Sequence, residues 1–411
     1  MKVLHLSHSD ISGGAARAAF RIHSSLREIG VDSYMWVNKG ITGDWTVDSP
    51  AKSFARALAS IRGYTSTPLV KALKTKNPIL HSPAILPSQW VKRINNSDAD
   101  LVHLHWVQGE MLSIADIGRV EKPIVWTLHD MWAFCGAEHV TWDERWRDGY
   151  RRDNRPPHES GFDLNRWSWQ RKLKHWRRPM QIVAPSNWLG KCVRESALMR
   201  DWPVTIIPNC LDTDRWKPID QALARELLGL PSDVPLILCG SHGANSAHHK
   251  GFDLLIAALG HLRDEVPGME MVVVGELAPQ SPPDLGFPIH YTGHLHDDLT
   301  LRACYSAADT VVVPSRQENL PNMAIEAQAC GVPVVGFSIG GIPDIVEHGI
   351  TGYLASPLHV PDLAKGIRYV LRELNDISTR NTIRSKVIQK YSKDIVMPKY
   401  EHLYEEVCSR K

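Results

Sequence analysis

A chain of 411 residues is long enough for two domains, each able to bury its own core. Its composition is 43% hydrophobic and 22% charged, with a formal net charge of +2. That is an ordinary soluble globular balance and gives no ground for a nucleic-acid partner. No apolar run approaches the roughly 20 residues that span a bilayer. The seven cysteines are scattered singly, without a Cys-x-x-Cys pair, so neither a disulfide framework nor a zinc site is expected, and the expected compartment is the reducing cytoplasm.

Strand and helix patterns alternate along the chain, which predicts an α/β protein with mostly parallel sheets. The opening MKVLHLSHSD predicts a strand over residues 2–7, too short and too interrupted for a signal peptide. The loop after it places Gly13 and Gly14 before an Ala-rich helix. Glycine permits close approach of backbone to a ligand, although a Gly-Gly pair also marks ordinary turns. Further strands are predicted over residues 33–37, 101–105, 124–128, 181–184 and 205–207. Two of them end in reactive side chains. LVHLHW carries His103, His105 and Trp106, which suit either ligand contacts or the core. PIVWTLHD ends in His129 and Asp130, where the carboxylate can orient the imidazole or bond a substrate hydroxyl.

Residues 145–178 are unusually basic, with eleven Lys and Arg against four Asp and Glu, and five of the fourteen tryptophans fall between Trp142 and Trp176. Such a segment, about 138–180, reads either as a solvated insertion or as a surface for an anionic membrane, with Trp167, Trp169 and Trp176 at the headgroups beside Arg171, Lys172, Lys174, Arg177 and Arg178. The stretch PNCLDTDRWKPID then lacks periodicity and reads as a linker. It divides residues 1–212 from 213–395, and Met397, Tyr400, Tyr404 and Val407 mark a last helix over 396–411. Strands in the second half are predicted over residues 236–239, 271–274, 289–292, 310–313 and 333–336. After the first of these, Lys250 precedes a helix, where a lysine can neutralise a diphosphate. Two Asp-x-Asp matches, Asp98/Asp100 and Asp212/Asp214, invite a metal reading. The first lies at the wrong end of its strand, and the second lies in the linker, where Asp caps turns. No metal or other cofactor is expected.

The segment VVVPSRQENLPNMAIEAQACGVPVVGFSIGGIPDIVEHGITG, residues 311–352, is the most informative. It reads strand, loop, helix, strand, glycine loop. Pro321 suits the first helical position, and Gly331 with Pro333 stops the helix. Free backbone N–H groups around Leu320 to Met323 then crown a helix at the carboxyl end of a strand, where open α/β sheets bind ligands and anions are stabilised. Glu318 before the helix and Glu326 one turn inside it can hold hydroxyls beside that anion. A diphosphate flanked by hydroxyls describes a nucleotide sugar.

These residues resemble the Glu-x7-Glu motif of retaining glycosyltransferases of family 4, in the glutamate spacing, the ENLPN loop, the ACGVPVV helix exit and the GGIPDIVEHGITGYL segment. The resemblance implies the GT-B architecture: two Rossmann-like domains facing a cleft, the last helix crossing back to the first. It implies transfer of a sugar from a nucleoside-diphosphate sugar to a saccharide or lipid-linked saccharide, in bacterial surface-polysaccharide synthesis, with retained anomeric configuration. It assigns His129, Glu318 and Lys250 to catalysis and Gly13, Gly14, residues 319–322 and Glu326 to the donor; His105, Trp106 and Asp130 remain as acceptor contacts. Two departures stand out. Ser241 replaces a frequent arginine, so His242, His248 or His249 would have to assist Lys250, and Cys210 replaces a glycine. A nucleotide-sugar epimerase and a non-catalytic nucleotide-sugar binder remain as alternatives.

Overall fold

The computed structural model describes residues 1–50, 61–240, 248–282, 284–295 and 297–410. The chain forms two compact units: Met1–Cys210 with Val396–Lys411, and Leu211–Ile395.

The first unit is built on a seven-stranded sheet in the order Val47–Asp48, Asp32–Lys39, Lys2–Ser9, Leu101–Leu104, Ile124–Thr127, Gln181–Ala184, Val204–Ile206. All its pairings are parallel. Alternation along the strands sorts side chains to two faces. Leu4, Leu6, Val102, Leu104, Trp126 and Ile182 join one core cluster. Val3, Leu101, Val125 and Val183 join another with Ile22 and Leu26 of the helix Gly14–Glu28 and with Val396, Met397, Tyr400 and Tyr404 of the helix Lys393–Ser409. The last helix is thus part of this unit's core. Parallel strands buried on both faces are normally apolar throughout, but here His5, His103 and Thr127 interrupt the second face, each fully buried.

The second unit holds a six-stranded parallel sheet in the order Ile289–Tyr291, Glu270–Val274, Leu236–Gly240, Thr310–Val313, Val334–Phe337, Gly352–Ala355. Numbered within the unit this is 3-2-1-4-5-6, the Rossmann order. Its direction reverses between Leu236–Gly240 and Thr310–Val313, so the crevice at their carboxyl ends is where such a sheet takes a ligand. The first sheet reverses in the same way between Lys2–Ser9 and Leu101–Leu104, where His5 pairs with His103.

Three local expectations need correction. Pro321 is the residue capping the helix Asn322–Ala329, not its first helical residue: its ψ of 114° is still extended. The strand Gly352–Ala355 lies inside the glycine-rich segment read as loop. The basic segment is not an insertion solvated throughout, and two of the residues nominated above for a membrane face, Lys172 and Trp176, are buried. Arg145 is 2% exposed and clamps Asp163 through two bonds of 3.1 and 2.8 Å. Lys172 is fully buried, donating to the carbonyls of Trp132, Cys135 and Gly136 with its ammonium 3.9 Å from the Trp132 ring centre. Trp176 is buried with its indole N–H on Ile114 O, and Arg171 donates to Pro83 O and Ala84 O. The cations satisfy loop carbonyls that would otherwise be buried without partners. Of the eight nominated residues, Lys174, Arg177 and Arg178 remain exposed. Among the described residues no helix is long and apolar enough to cross a membrane.

Candidate functional site

In the second unit two loops leave the switch-point strands and are bonded together. Gly251 caps the helix Phe252–Gly260 with a φ of 68°, and a Cβ there would lie 2.0 Å from Pro314 O. Only glycine allows that approach. It brings residues 248–250 against the end of the strand Thr310–Val313, where Arg316 N donates to His249 O at 2.7 Å and the Arg316 guanidinium takes Asp253 in a fork of 2.7 and 2.6 Å. Lys250 Nζ then meets Glu318 Oε2 at 2.7 Å, and Ser315 Oγ donates to the same oxygen at 3.2 Å. Behind Glu318 the glycine loop closes in: Gly341 N donates to Glu318 O at 3.0 Å, and a Cβ on Gly340 would lie 2.1 Å from that carbonyl.

Beyond the loop, Leu320 and Pro321 are buried and Asn319 and Asn322 half-buried at the amino end of the helix. Glu326 is 3% exposed, and Tyr305 donates its hydroxyl to Glu326 Oε2 at 2.9 Å. The structure therefore brings Lys250 and Glu318 together and holds Glu326 separately on Tyr305. Ser241 and His242 lie outside the described residues. Arg316 does not replace the missing arginine, because Asp253 engages it. Sequence reading passed over Arg316, Asp253 and Tyr305. Arg316 offered only the weak signal of a cation two residues before Glu318, and its partner is 63 residues away in sequence.

In the first unit, Gly13 has a φ of 93° and caps the helix that begins at Gly14. Asp10, fully buried and also missed, ties this loop to the neighbouring one by accepting from Ile41 N, Thr42 N and Thr42 Oγ1 at 2.8–2.9 Å. The strands Leu101–Leu104 and Ile124–Thr127 end just before His105 and His129. Asp130 does not hold His129. Its carboxylate accepts from Trp106 Nε1 at 3.1 Å and the Trp132 amide at 2.9 Å, and lies 2.6 Å from His139 Nδ1. Burial pushes Asp130 up, but His139, the Trp132 amide and His129 outweigh it and hold the group below the usual carboxyl range. His129 Nε2 instead lies 3.2 Å from His105 Nδ1. Burial lowers His129 to about 4, against a small opposing pull from Asp130. Trp106, held by Asp130, and His129, held by His105, are the polar ends of two neighbouring strands.

The Asp-x-Asp pairs are bonded elsewhere. Asp98 pairs with Lys2 Nζ at 2.5 Å, and Asp100 accepts from Lys2 N at 2.8 Å, at the amino end of the first strand. Asp212 caps the turn at Asp214 N and Arg215 N, at 3.0 and 3.1 Å.

A doubly wound parallel sheet in each unit, with a lysine–glutamate pair at the second switch point, defines the GT-B type of glycosyltransferase fold. Comparison with known proteins carries this further. Residues 12–215 match the family model "Glycosyltransferase Family 4", and residues 235–373 match "Glycosyl transferases group 1". The chain is thus assembled from two glycosyltransferase domains. A D-inositol 3-phosphate glycosyltransferase of Xylanimonas cellulosilytica is 30% identical over 279 residues, covering 62% of this chain and 59% of the relative. One from Segniliparus rotundus is 35% identical over 163 residues, covering 37% and 35%. The chain therefore spans between about a third and three-fifths of the length of these relatives. Among solved structures, the sucrose-phosphate synthase of Thermosynechococcus elongatus superimposes with a TM-score of 0.67 at 17% identity, covering all of both chains. Anabaena HepE in complex with UDP and glucose gives a TM-score of 0.67 at 17% identity, over 99% of this chain and 100% of that one. At these identities the structural likeness concerns the fold.

Proposed function

We propose that this chain transfers a sugar from a nucleoside-diphosphate sugar to a hydroxyl of a saccharide or lipid-linked saccharide acceptor, with retention of anomeric configuration. The observation that carries the reading is the convergence of Lys250, Glu318 and the amino end of the helix Asn322–Ala329 on the switch point of a Rossmann-ordered sheet. Lys250 and the helix end suit a diphosphate. Glu318 suits a sugar hydroxyl, and Glu326, set by Tyr305, suits the ribose hydroxyls. The transition state resembles an oxocarbenium ion leaving a diphosphate, so stabilising the leaving charge is the main lever. His129 hydrogen-bonds the transferred sugar, Gly13 and Gly14 contact the diphosphate side of the donor, and His105, Trp106 and Asp130 shape the acceptor side. Lys250 and the helix end neutralise the diphosphate without a metal ion.

The names of these relatives, D-inositol 3-phosphate glycosyltransferases, support a hydroxylated acceptor and make inositol phosphate a necessary member of any acceptor panel. The test is a thermal-shift screen against UDP-, GDP- and ADP-sugars. A donor at 100 times its dissociation constant adds about 2.7 kcal/mol to the unfolding free energy. A screen in which no nucleotide sugar raises the melting temperature contradicts the proposal.

A further inference from the structure

The buried face of the first sheet carries imidazoles in a bonded row. His5 Nδ1 lies 3.0 Å from His105 Nε2, and His105 Nδ1 lies 3.2 Å from His129 Nε2. The rings stack along the row: His5 and His105 have centroids 5.3 Å apart at 14°, and His105 and His129 are 5.5 Å apart at 30°. The row starts in the core, where His5 is 0% and His105 1% exposed, and ends on a residue beyond a strand end, at the edge proposed for the sugar. His103 stands beside it but belongs to a different set, since its ring nitrogens meet Tyr404 OH and Thr127 Oγ1, both at 2.7 Å.

Each contact between two ring nitrogens needs one proton, and a neutral imidazole has one to give. Two arrangements satisfy both contacts. In one, all three rings carry the proton on Nδ1. In the other, all three carry it on Nε2. The far end of the row separates them. His5 Nε2 is buried and has no hydrogen-bond partner. The second arrangement puts an N–H there, a buried donor without an acceptor, which folded proteins rarely tolerate. The first leaves only a lone pair. Protonating the row is opposed by burial, which lowers His5 and His105 well below the usual imidazole range, each also facing neighbouring imidazoles.

We propose that His5 and His105 are positioning residues that fix His129 as its Nδ1–H tautomer, making it a hydrogen-bond donor to an oxygen of the transferred sugar and not a base. This rests on the donor-site reading above for its purpose, but the tautomer itself does not depend on it. No bond is made or broken by the row. It holds a proton at a stated atom.

The experiment is nitrogen NMR of the full chain with 15N-labelled histidine rings, in which protonated and bare ring nitrogens resonate far apart. His129 signals are assigned by their loss in His129→Gln. Wild type should show Nδ1 protonated and Nε2 bare on His129. In His105→Phe, matched in shape but unable to donate, that bias should vanish and the Nε2–H form should appear. In His105→Asn, whose amide N–H stands near the position of Nδ1, the wild-type pattern should return. Circular dichroism confirms that each variant is folded, and the wild-type spectrum decides even if His105→Phe is not. A proton on Nε2 of wild-type His129, or an unchanged His129 pattern in folded His105→Phe, overturns the proposal. So does zinc copurifying with wild type and lost from His105→Phe, because the His5, His103 and His105 nitrogens lie within 4.8 Å of one another. Failure of the functional reading registers separately, as absence of binding to any UDP-, GDP- or ADP-sugar.

Discussion

Lys250 Nζ and Glu318 Oε2 are 2.7 Å apart, so the cation and the carboxylate assigned to the donor neutralise one another across two loops. Their side chains are 42% and 17% exposed, which keeps the pair's contribution to stability below about 1 kcal/mol. Lys250→Ala should therefore barely move the denaturation midpoint. It should weaken donor binding at least tenfold, about 1.4 kcal/mol, because Glu318 is then left facing a diphosphate without its counter-charge. Calorimetric titration beside urea denaturation separates the two effects. A large loss of stability with intact affinity would assign the pair to structure.

The buried histidines make stability pH-dependent. Burial lowers His103 to about 3 and His23 to about 4, with Arg27 adding to the second, and holds His5 and His105 well below the usual imidazole value of about 6.5. The folded state thus binds fewer protons than the unfolded one between about pH 4 and pH 6.5. Stability is full above 6.5 and is lost as pH falls through that window, at up to about 1.4 kcal/mol per pH unit for each group. Denaturant titrations from pH 7.5 to 5 should show the fall, and His23→Gln should reduce its slope by about one proton. A flat profile would contradict the neutral, buried state of these rings.

Lys172 and Arg178 test the revised view of the basic segment. Lys172→Met removes three carbonyl bonds from a fully buried site and should destabilise the protein by about 2–4 kcal/mol, whereas Arg178→Ser, exposed, should stay within about 0.5 kcal/mol. Chemical denaturation of the two variants decides it. Equal, small effects would return the segment to the surface.

Turnover should survive excess EDTA, since the proposed leaving-group stabilisation uses Lys250 and a helix end. Activity that disappears and returns with Mg²⁺ or Mn²⁺ would reopen the assignment of Asp98/Asp100 and Asp212/Asp214.

Much of the architecture was legible because it follows from local pattern. The apolar run Thr310–Val313 and the stop at Gly331, whose φ is 75°, are read from neighbouring residues alone. The spacing of Glu318 and Glu326 pointed to the second site for the same reason. Relations between distant residues were not legible. Nothing near Glu326 names Tyr305, and nothing near His129 says that His105, rather than the adjacent Asp130, holds its ring. The basic segment misled because charge usually signals solvent. Burial of Arg145 and Lys172 depends on acceptors supplied by loops that the composition cannot place.

The central claim is that Glu326 holds donor hydroxyls. Glu326→Gln keeps its shape and an oxygen for Tyr305 but loses the charge-assisted bonds, which are worth roughly 1.5–3 kcal/mol. Titration of wild type and Glu326→Gln with the nucleotide sugar selected by the thermal-shift screen should give dissociation constants differing by about 10- to 100-fold, with similar melting temperatures in the unliganded proteins. Equal dissociation constants for the two proteins would contradict the account.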